Sequence, residues 1–174
     1  MPLNIEFKAS HPDIEAAEAL LQNLQPRFVG QDNQLDTYFN VPHGRLKLRE
    51  GHIENALIHY VRANTAGSKS SQVILYQHQP NAHLKDALSA ALGVKIVVDK
   101  QRRIYFINNV KFHFDKVAQL GSFIEVEAID SDGSIDAATL QNQCNEYAHL
   151  FGIAPHQYQT HSYSDMLLAL AEKG

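Results

Sequence analysis

Alternation of apolar and polar residues at every second position dominates much of this chain. Residues 3–9, LNIEFKA, set Leu3, Ile5 and Phe7 against Asn4, Glu6 and Lys8, which predicts a half-buried strand with a polar second face. Over 10–24 the period changes to helical. Ile14, Ala17, Leu20, Leu21 and Leu24 form an apolar stripe, Ser10 and Asp13 resemble a capping box, and Pro12 sits in the first turn. Strand periodicity returns at 34–41, 45–50, 56–63 and 71–78, with a tight turn at VPHG and a polar loop at NTAGSKS. A helix is expected over 81–93, from Asn81 as N-cap to Gly93 as stop. Strands follow at 94–107, 110–117 and 122–129, with Asn108 and Asn109 as a hairpin turn. Helices over 136–152 and 162–173 end the chain.

About seven or eight mostly antiparallel strands, with helices at the start, middle and end, predict an α+β fold. Short connections favour pairing between sequence neighbours. A meander of that length tends to curl and close, because closure removes exposed edges. The expectation is one domain over residues 1–174, built on a barrel with peripheral helices.

The second faces of these strands are unusual. Glu6 and Lys8 share one, and so do Arg45, Lys47 and Arg49, Lys100 and Arg102, His113 and Asp115, and Glu125 and Glu127. Each pair taken alone fits the wet side of an antiparallel sheet. Taken together they sort by sign, with basic pairs earlier and acidic residues at 115–127. A barrel with a charged interior would gather them into a cationic wall beside a carboxylate cluster.

The overall charge sharpens this picture. The chain of 174 residues has 44% hydrophobic and 20% charged residues and a net charge of −4, which argues against nucleic acid as a partner. Yet 12 of the 15 Lys and Arg residues lie between Arg45 and Lys116, which suits a local anion site. The N-terminal segment MPLNIEFKAS has no apolar core of a signal peptide, and no apolar run is long enough to span a membrane. With a single cysteine, Cys144, these features predict a cytoplasmic protein without a membrane partner.

Several Lys and Arg side chains can clamp a polyphosphate, Arg through two oxygens at once. Carboxylates beside them would repel phosphate unless a divalent cation stands between. Asp115, Glu125 and Glu127, with Glu6, are therefore candidate ligands of Mg²⁺ or Mn²⁺.

At these residues the chain resembles the CYTH family, which contains class IV adenylyl cyclases and tunnel-type triphosphatases. NIEFKA is similar to the family's E-x-E-x-K strand, and DTYF with GRLKLRE to its early basic strand. HYVRA, GSKSS and DKQRR are similar to later clamp positions, and KFHFDKV with SFIEVEA to its Asp and E-x-E strands. The similarity spans about residues 3–168, and SYSDML leans toward the cyclase-like branch.

The resemblance implies a closed eight-stranded antiparallel tunnel that binds triphosphate with metal. It implies a clamp of Lys8, Lys47, Arg49, Arg62, Lys69, Lys100 and Arg102, joined by Arg45, with Lys8 and Arg102 as catalytic cations. The implied metal ligands are Glu6, Asp115, Glu125 and Glu127. Asn4 departs from the pattern, standing where the family has its first Glu. No cation follows Lys116 except Lys173. The implied substrate is a nucleoside triphosphate or inorganic triphosphate. The implied activity is cyclase-like conversion of ATP to cyclic AMP and pyrophosphate. Triphosphatase activity and a non-catalytic polyphosphate or nucleotide binding module are the alternatives. Oligomeric state is left open, a homodimer included.

Other residues have plainer expectations. His113 either faces the lumen and transfers protons or serves a hydrogen-bonded structural role. His156 and His161 are expected in a solvated loop and Cys144 in a helix core. Tyr105, Phe106 and Phe112 read as wall or core. Asp165 caps the last helix or, with Tyr163, closes one tunnel mouth.

Overall fold

The computed structural model describes the backbone of residues 3–62 and 69–174, and their side chains except at 62 and 69–71. The NTAGSKS loop therefore lies largely outside the described residues, as do the side chains of Arg62 and Lys69. The strands are β1 (Leu3–Ser10), β2 (Arg27–Phe39), β3 (Arg45–Glu50), β4 (Ala56–Arg62), β5 (Lys69–Gln77), β6 (Val94–Ile107), β7 (Val110–Val117) and β8 (Gly121–Asp130). The helices are α1 (Ile14–Gln22), α2 (Ala82–Leu92), α3 (Ala137–Leu150) and α4 (Tyr163–Lys173).

All strand pairs are antiparallel and form one sheet that curls round until its end strands β5 and β1 meet, in the order β5-β4-β3-β2-β6-β7-β8-β1. The closure expected above is met only in part, through a short seam among the described residues. β1 meets β8 from Leu3↔Asp130 to Ser10↔Phe123, but meets β5 only at Ile5↔Ser70 and Glu6↔Lys69. Beyond this short seam the described side chains of β5 are largely exposed. Val73, Ile74, Leu75 and Tyr76 are 47%, 71%, 55% and 65% exposed, on both faces of the strand.

Strand alternation places the main apolar core outside the barrel. Ile5, Phe7 and Ala9 of β1, Phe112 and Phe114 of β7, and Ile124 and Val126 of β8 point outward. They pack against Ile14, Ala17 and Leu21 of α1 and Leu140, Cys144 and Ala148 of α3. The Cys144 thiol donates to the Ile5 carbonyl at 3.3 Å, as fits a small core residue. Tyr105 and Phe112 also lie in this core. A second cluster closes one end of the barrel, with Tyr38, Ile58, Tyr60, Val98 and Phe123 beneath Tyr163 and Leu167 of α4.

Two local expectations change. Ser10 is still in β1, so Asp13 alone caps α1, accepting from the Ala16 N–H at 3.0 Å. β2 begins seven residues before the expected 34, running from Arg27 through a bulge between Phe28 and Gly30. Gly30 has φ of 149°, and a Cβ there would come within 2.8 Å of the Ile53 side chain.

Candidate functional site

The inward faces of the strands line a cavity of ≈ 340 Å³. Of the residues expected to act on substrate or metal, Glu6, Lys8, Lys47, Arg49, Lys100, Arg102, Glu125 and Glu127 line it. They reach it because β1, β3, β6 and β8 each turn every second side chain inward.

On the β2–β3–β6 side the centre is Asp36. Its carboxylate accepts from Lys47 at 3.0 Å, from Arg49 at 2.9 Å through two nitrogens, and from Lys100 at 2.7 Å. Burial pushes the Asp36 carboxyl up, but Arg49, Lys100 and Lys47 outweigh it and hold it well below the usual range. Arg49 also reaches Glu54, but among the described residues Asp36 is the only carboxylate paired with Lys47 and Lys100. Burial, together with Arg49, Arg102 and Lys47, pulls the Lys100 ammonium down to about 7, although Asp36 opposes this. The mutual repulsion of Lys47 and Arg49 is thus relieved in part by a carboxylate on the next strand.

Arg102 lies between the two sides. It donates to both oxygens of Asp115 at 2.7 Å and to Glu125 at 3.1 Å, a forked geometry that fixes the guanidinium plane. Tyr163 of α4 donates its hydroxyl to the same Asp115 at 2.7 Å. The Lys8 ammonium sits 3.2 Å from Glu125 and 3.8 Å from the centre of the Tyr163 ring.

On the β1–β8 side, Glu6 and Glu127 stand directly opposite each other in register. Such a like-charged cross-strand pair is unfavourable. Burial, then Glu6, and then Glu125 raise the Glu127 carboxyl to about 7, with Lys111 opposing. Asn4 donates its amide N–H to Glu127 at 2.8 Å. His113 completes this wall through Nδ1, which donates to Glu125 at 3.0 Å. Its Nε2 is buried without a hydrogen-bond partner, and burial followed by Arg102 lowers the imidazole to about 4, so the ring is neutral at pH 7.

Two expected roles need correction. Asp115 does not line the cavity; it is fully buried, with both oxygens occupied by Arg102 and Tyr163, so it supports Arg102 and is not placed as a metal ligand. Arg45 also lies outside the cavity. It donates to Ser162 at 2.8 Å and Asp165 at 2.9 Å and so ties β3 to the start of α4. Asp165 and Ser162 form a capping box there, and Lys173 is exposed at the helix end.

The cavity also holds residues absent from the expected set. Asp36 and Lys111 share the alternation that marked their neighbours, since Asp36 is two residues from Tyr38 and Lys111 two from His113. Glu54 had no such signal, because it lies in the loop between β3 and β4. It pairs with Arg49 at 3.3 Å and with Lys111, and these cations hold it well below the usual range against burial.

Among the described residues, no group of three or more His, Cys, Asp or Glu side chains is disposed to hold a metal ion. The four-ligand set is therefore not assembled. Glu6 and Glu127 do fit a Mg²⁺ site of two carboxylates completed by water and substrate phosphate. Glu125 is engaged by Lys8, Arg102 and His113.

Several solved structures share this fold. The PH1012 protein of Pyrococcus horikoshii has a TM-score of 0.78 at 21% identity, covering 93% of this chain and 98% of its own. A proposed adenylate cyclase from Vibrio parahaemolyticus has a TM-score of 0.78 at 17% identity, covering 95% and 97%. HpAC1 from Hippeastrum, a proposed adenylyl cyclase with a dominant triphosphatase activity, has a TM-score of 0.59 at 13% identity, covering 99% and 96%. No curated protein sequence matches significantly. The family profile described as CYTH domain matches residues 2–153, and the chain belongs to the CYTH domain family.

Proposed function

We propose that this protein is a divalent-metal-dependent enzyme that processes triphosphates, with class IV adenylyl cyclase-like conversion of ATP to cyclic AMP and pyrophosphate as the leading reading. The observation that carries it is the convergence of Lys47, Arg49 and Lys100 on the single carboxylate of Asp36, inside a cavity whose opposite wall carries Glu6 and Glu127. A polyphosphate supplies the anions that the first wall lacks. The second wall can hold the cation that accompanies it.

Phosphate oxygens entering the cavity would compete with Asp36 for Lys47, Arg49 and Lys100. Arg102, held in orientation by Asp115, and Lys8, kept in place by Glu125 and Tyr163, would stabilise charge that grows on the reacting phosphoryl group. A Mg²⁺ or Mn²⁺ at Glu6 and Glu127 would supply charge neutralisation at the phosphate oxygens. In the cyclase-like reaction the ribose 3′ oxygen bonds to the α-phosphorus while the bond to pyrophosphate breaks. The hydroxyl proton passes to solvent or to His113 Nε2.

Triphosphatase activity is the second reading, favoured by the dominant activity of the Hippeastrum neighbour. There water bonds to the terminal phosphorus while the bond to the neighbouring phosphate oxygen breaks, giving orthophosphate and ADP or diphosphate as the leaving group. Incubating the protein with ATP, and separately with inorganic triphosphate, in Mg²⁺ and then Mn²⁺ distinguishes the two. Cyclic AMP with pyrophosphate supports the first reading. ADP with phosphate, or cleavage of triphosphate alone, supports the second. Tight binding with no product in either metal would leave a binding module and refute both enzymatic readings.

A further inference from the structure

The cations of the cavity are ordered along its axis. β3 starts at Arg45, which is tied to α4, and runs away from that helix through Lys47 to Arg49. β7 runs the opposite way, from Lys111 to Asp115, where the Tyr163 hydroxyl of α4 meets it. Arg49 and Lys111 are therefore the cavity-lining cations of these strands that lie farthest from α4. Lys8 and Arg102 lie at the other end, the first against the Tyr163 ring and the second on Asp115. Glu54 stands between the two outer cations. One of its oxygens accepts from Arg49 at 3.3 Å and the other from Lys111. Arg49 is thus shared, with Nε and Nη2 on Asp36 and Nη1 on Glu54. Burial would raise the Glu54 carboxyl, but Lys111 and Arg49 outweigh it, so the group is charged at pH 7.

Glu54 is held there by residues outside the cavity. The Asp32 carboxylate accepts from the backbone N–H groups of His52 at 2.6 Å, Ile53 at 3.0 Å and Glu54 at 2.9 Å. Gln34 donates to Asp32 and to Glu54, both at 2.9 Å. Asp32 and Gln34 are buried, and neither lines the cavity. A Cβ at Gly51 would come within 2.6 Å of the Asp32 carboxylate, so a glycine is needed for this close approach. Asn55 ties the loop to itself, donating to the Gly51 carbonyl at 2.9 Å. An incoming anion therefore meets a carboxylate that is already fixed, on a loop with little freedom to withdraw it.

We propose that Glu54 sets the length of polyphosphate that the cavity accepts: its carboxylate takes the place of one further phosphate at the outer end, so that three are held and a fourth is turned away. This rests on the reading of the cavity as a triphosphate site. A phosphate group placed beyond the inner cations would have to compete with Glu54 for Arg49 and Lys111 and would face a like charge beside it. Discrimination of this kind comes from repulsion of the longer anion as much as from attraction of the shorter one.

The test is titration calorimetry of the full chain with inorganic triphosphate and with linear tetraphosphate, in EDTA so that no metal adds contacts of its own. Wild type should bind triphosphate about tenfold more tightly than tetraphosphate. Glu54→Gln removes the charge at nearly constant shape and should shift the ratio of the two affinities about tenfold toward tetraphosphate. Glu54→Asp keeps the charge and should keep the preference for triphosphate. A merely structural role would weaken both ligands together and leave the ratio where it was. An unchanged ratio in Glu54→Gln, or equal affinities for the two ligands in wild type, would overturn the length limit while leaving the triphosphate site standing. Failure of wild type to bind either ligand would overturn both.

Discussion

On the β2–β3–β6 wall of the cavity, three cations surround one carboxylate; on the β1–β8 wall, two carboxylates face each other across adjacent strands beside a third. The cationic wall is largely buried and the carboxylate wall half-buried, so water screens neither imbalance fully. The chemical response differs in sign. Lys100 is drawn down to about 7, toward losing its proton, and Glu127 is raised to about 7, toward keeping one. Glu125 escapes this because Lys8, Arg102 and His113 reach it. A binding cavity can thus keep unmatched charge of both signs within one barrel, provided that each wall is matched by a different part of the ligand.

The comparison can be broken most sharply on the cationic wall. Replacing Lys47 and Arg49 together by Ala should lower triphosphate affinity on the order of a hundredfold, measured by calorimetry. Unchanged affinity would remove the clamp. On the other wall, Glu6→Gln with Glu127→Gln should weaken Mg²⁺ binding by about tenfold or more, while triphosphate binding in EDTA is retained. Asn4→Glu should act oppositely and tighten Mg²⁺ binding, since it adds a carboxylate beside Glu127.

A smaller effect reads the cationic wall through protons. The Lys100 ammonium, lowered to about 7 in the empty cavity, should return toward its ordinary value when phosphate anions surround it. Binding above pH 7 therefore takes up protons, and binding near pH 6 takes up few, because the ammonium is already charged there. Calorimetry at pH 7.5 in buffers of different ionisation enthalpy should show uptake of a large fraction of one proton, and Lys100→Met should abolish it. Proton release by the wild type would contradict the account. The smallest effect lies outside both walls. Arg45→Ala should cost about 1 kcal/mol of stability in denaturant unfolding, since its pair with Asp165 is partly exposed, and should leave triphosphate affinity unchanged.

Much of this site was legible because strand alternation is a rigid rule. Once Lys47 and Arg49 are read as one face of a strand, their arrival in a common cavity follows from the curl of the sheet. The same rule failed at Arg45, which shares their face but sits at the strand end, where α4 intercepts it. Asp115 also shares its face with His113, yet Arg102 and Tyr163 bury it beneath the cavity floor; no local pattern reports such a tertiary pairing. Glu54 was invisible for another reason. Its position depends on Asp32, 22 residues away, capping a loop that has no period of its own. The strand count and antiparallel order followed from the sequence pattern, while the thin β1–β5 seam depends on a pairing between distant strands.

The most direct test of the two-walled cavity is calorimetric titration of inorganic triphosphate into the wild type, once in EDTA and once in Mg²⁺. The account predicts measurable binding in EDTA from the cationic wall, tightened by about tenfold or more in Mg²⁺ as the carboxylate wall is engaged. Absence of binding under both conditions, or affinity that is indifferent to Mg²⁺, would contradict it.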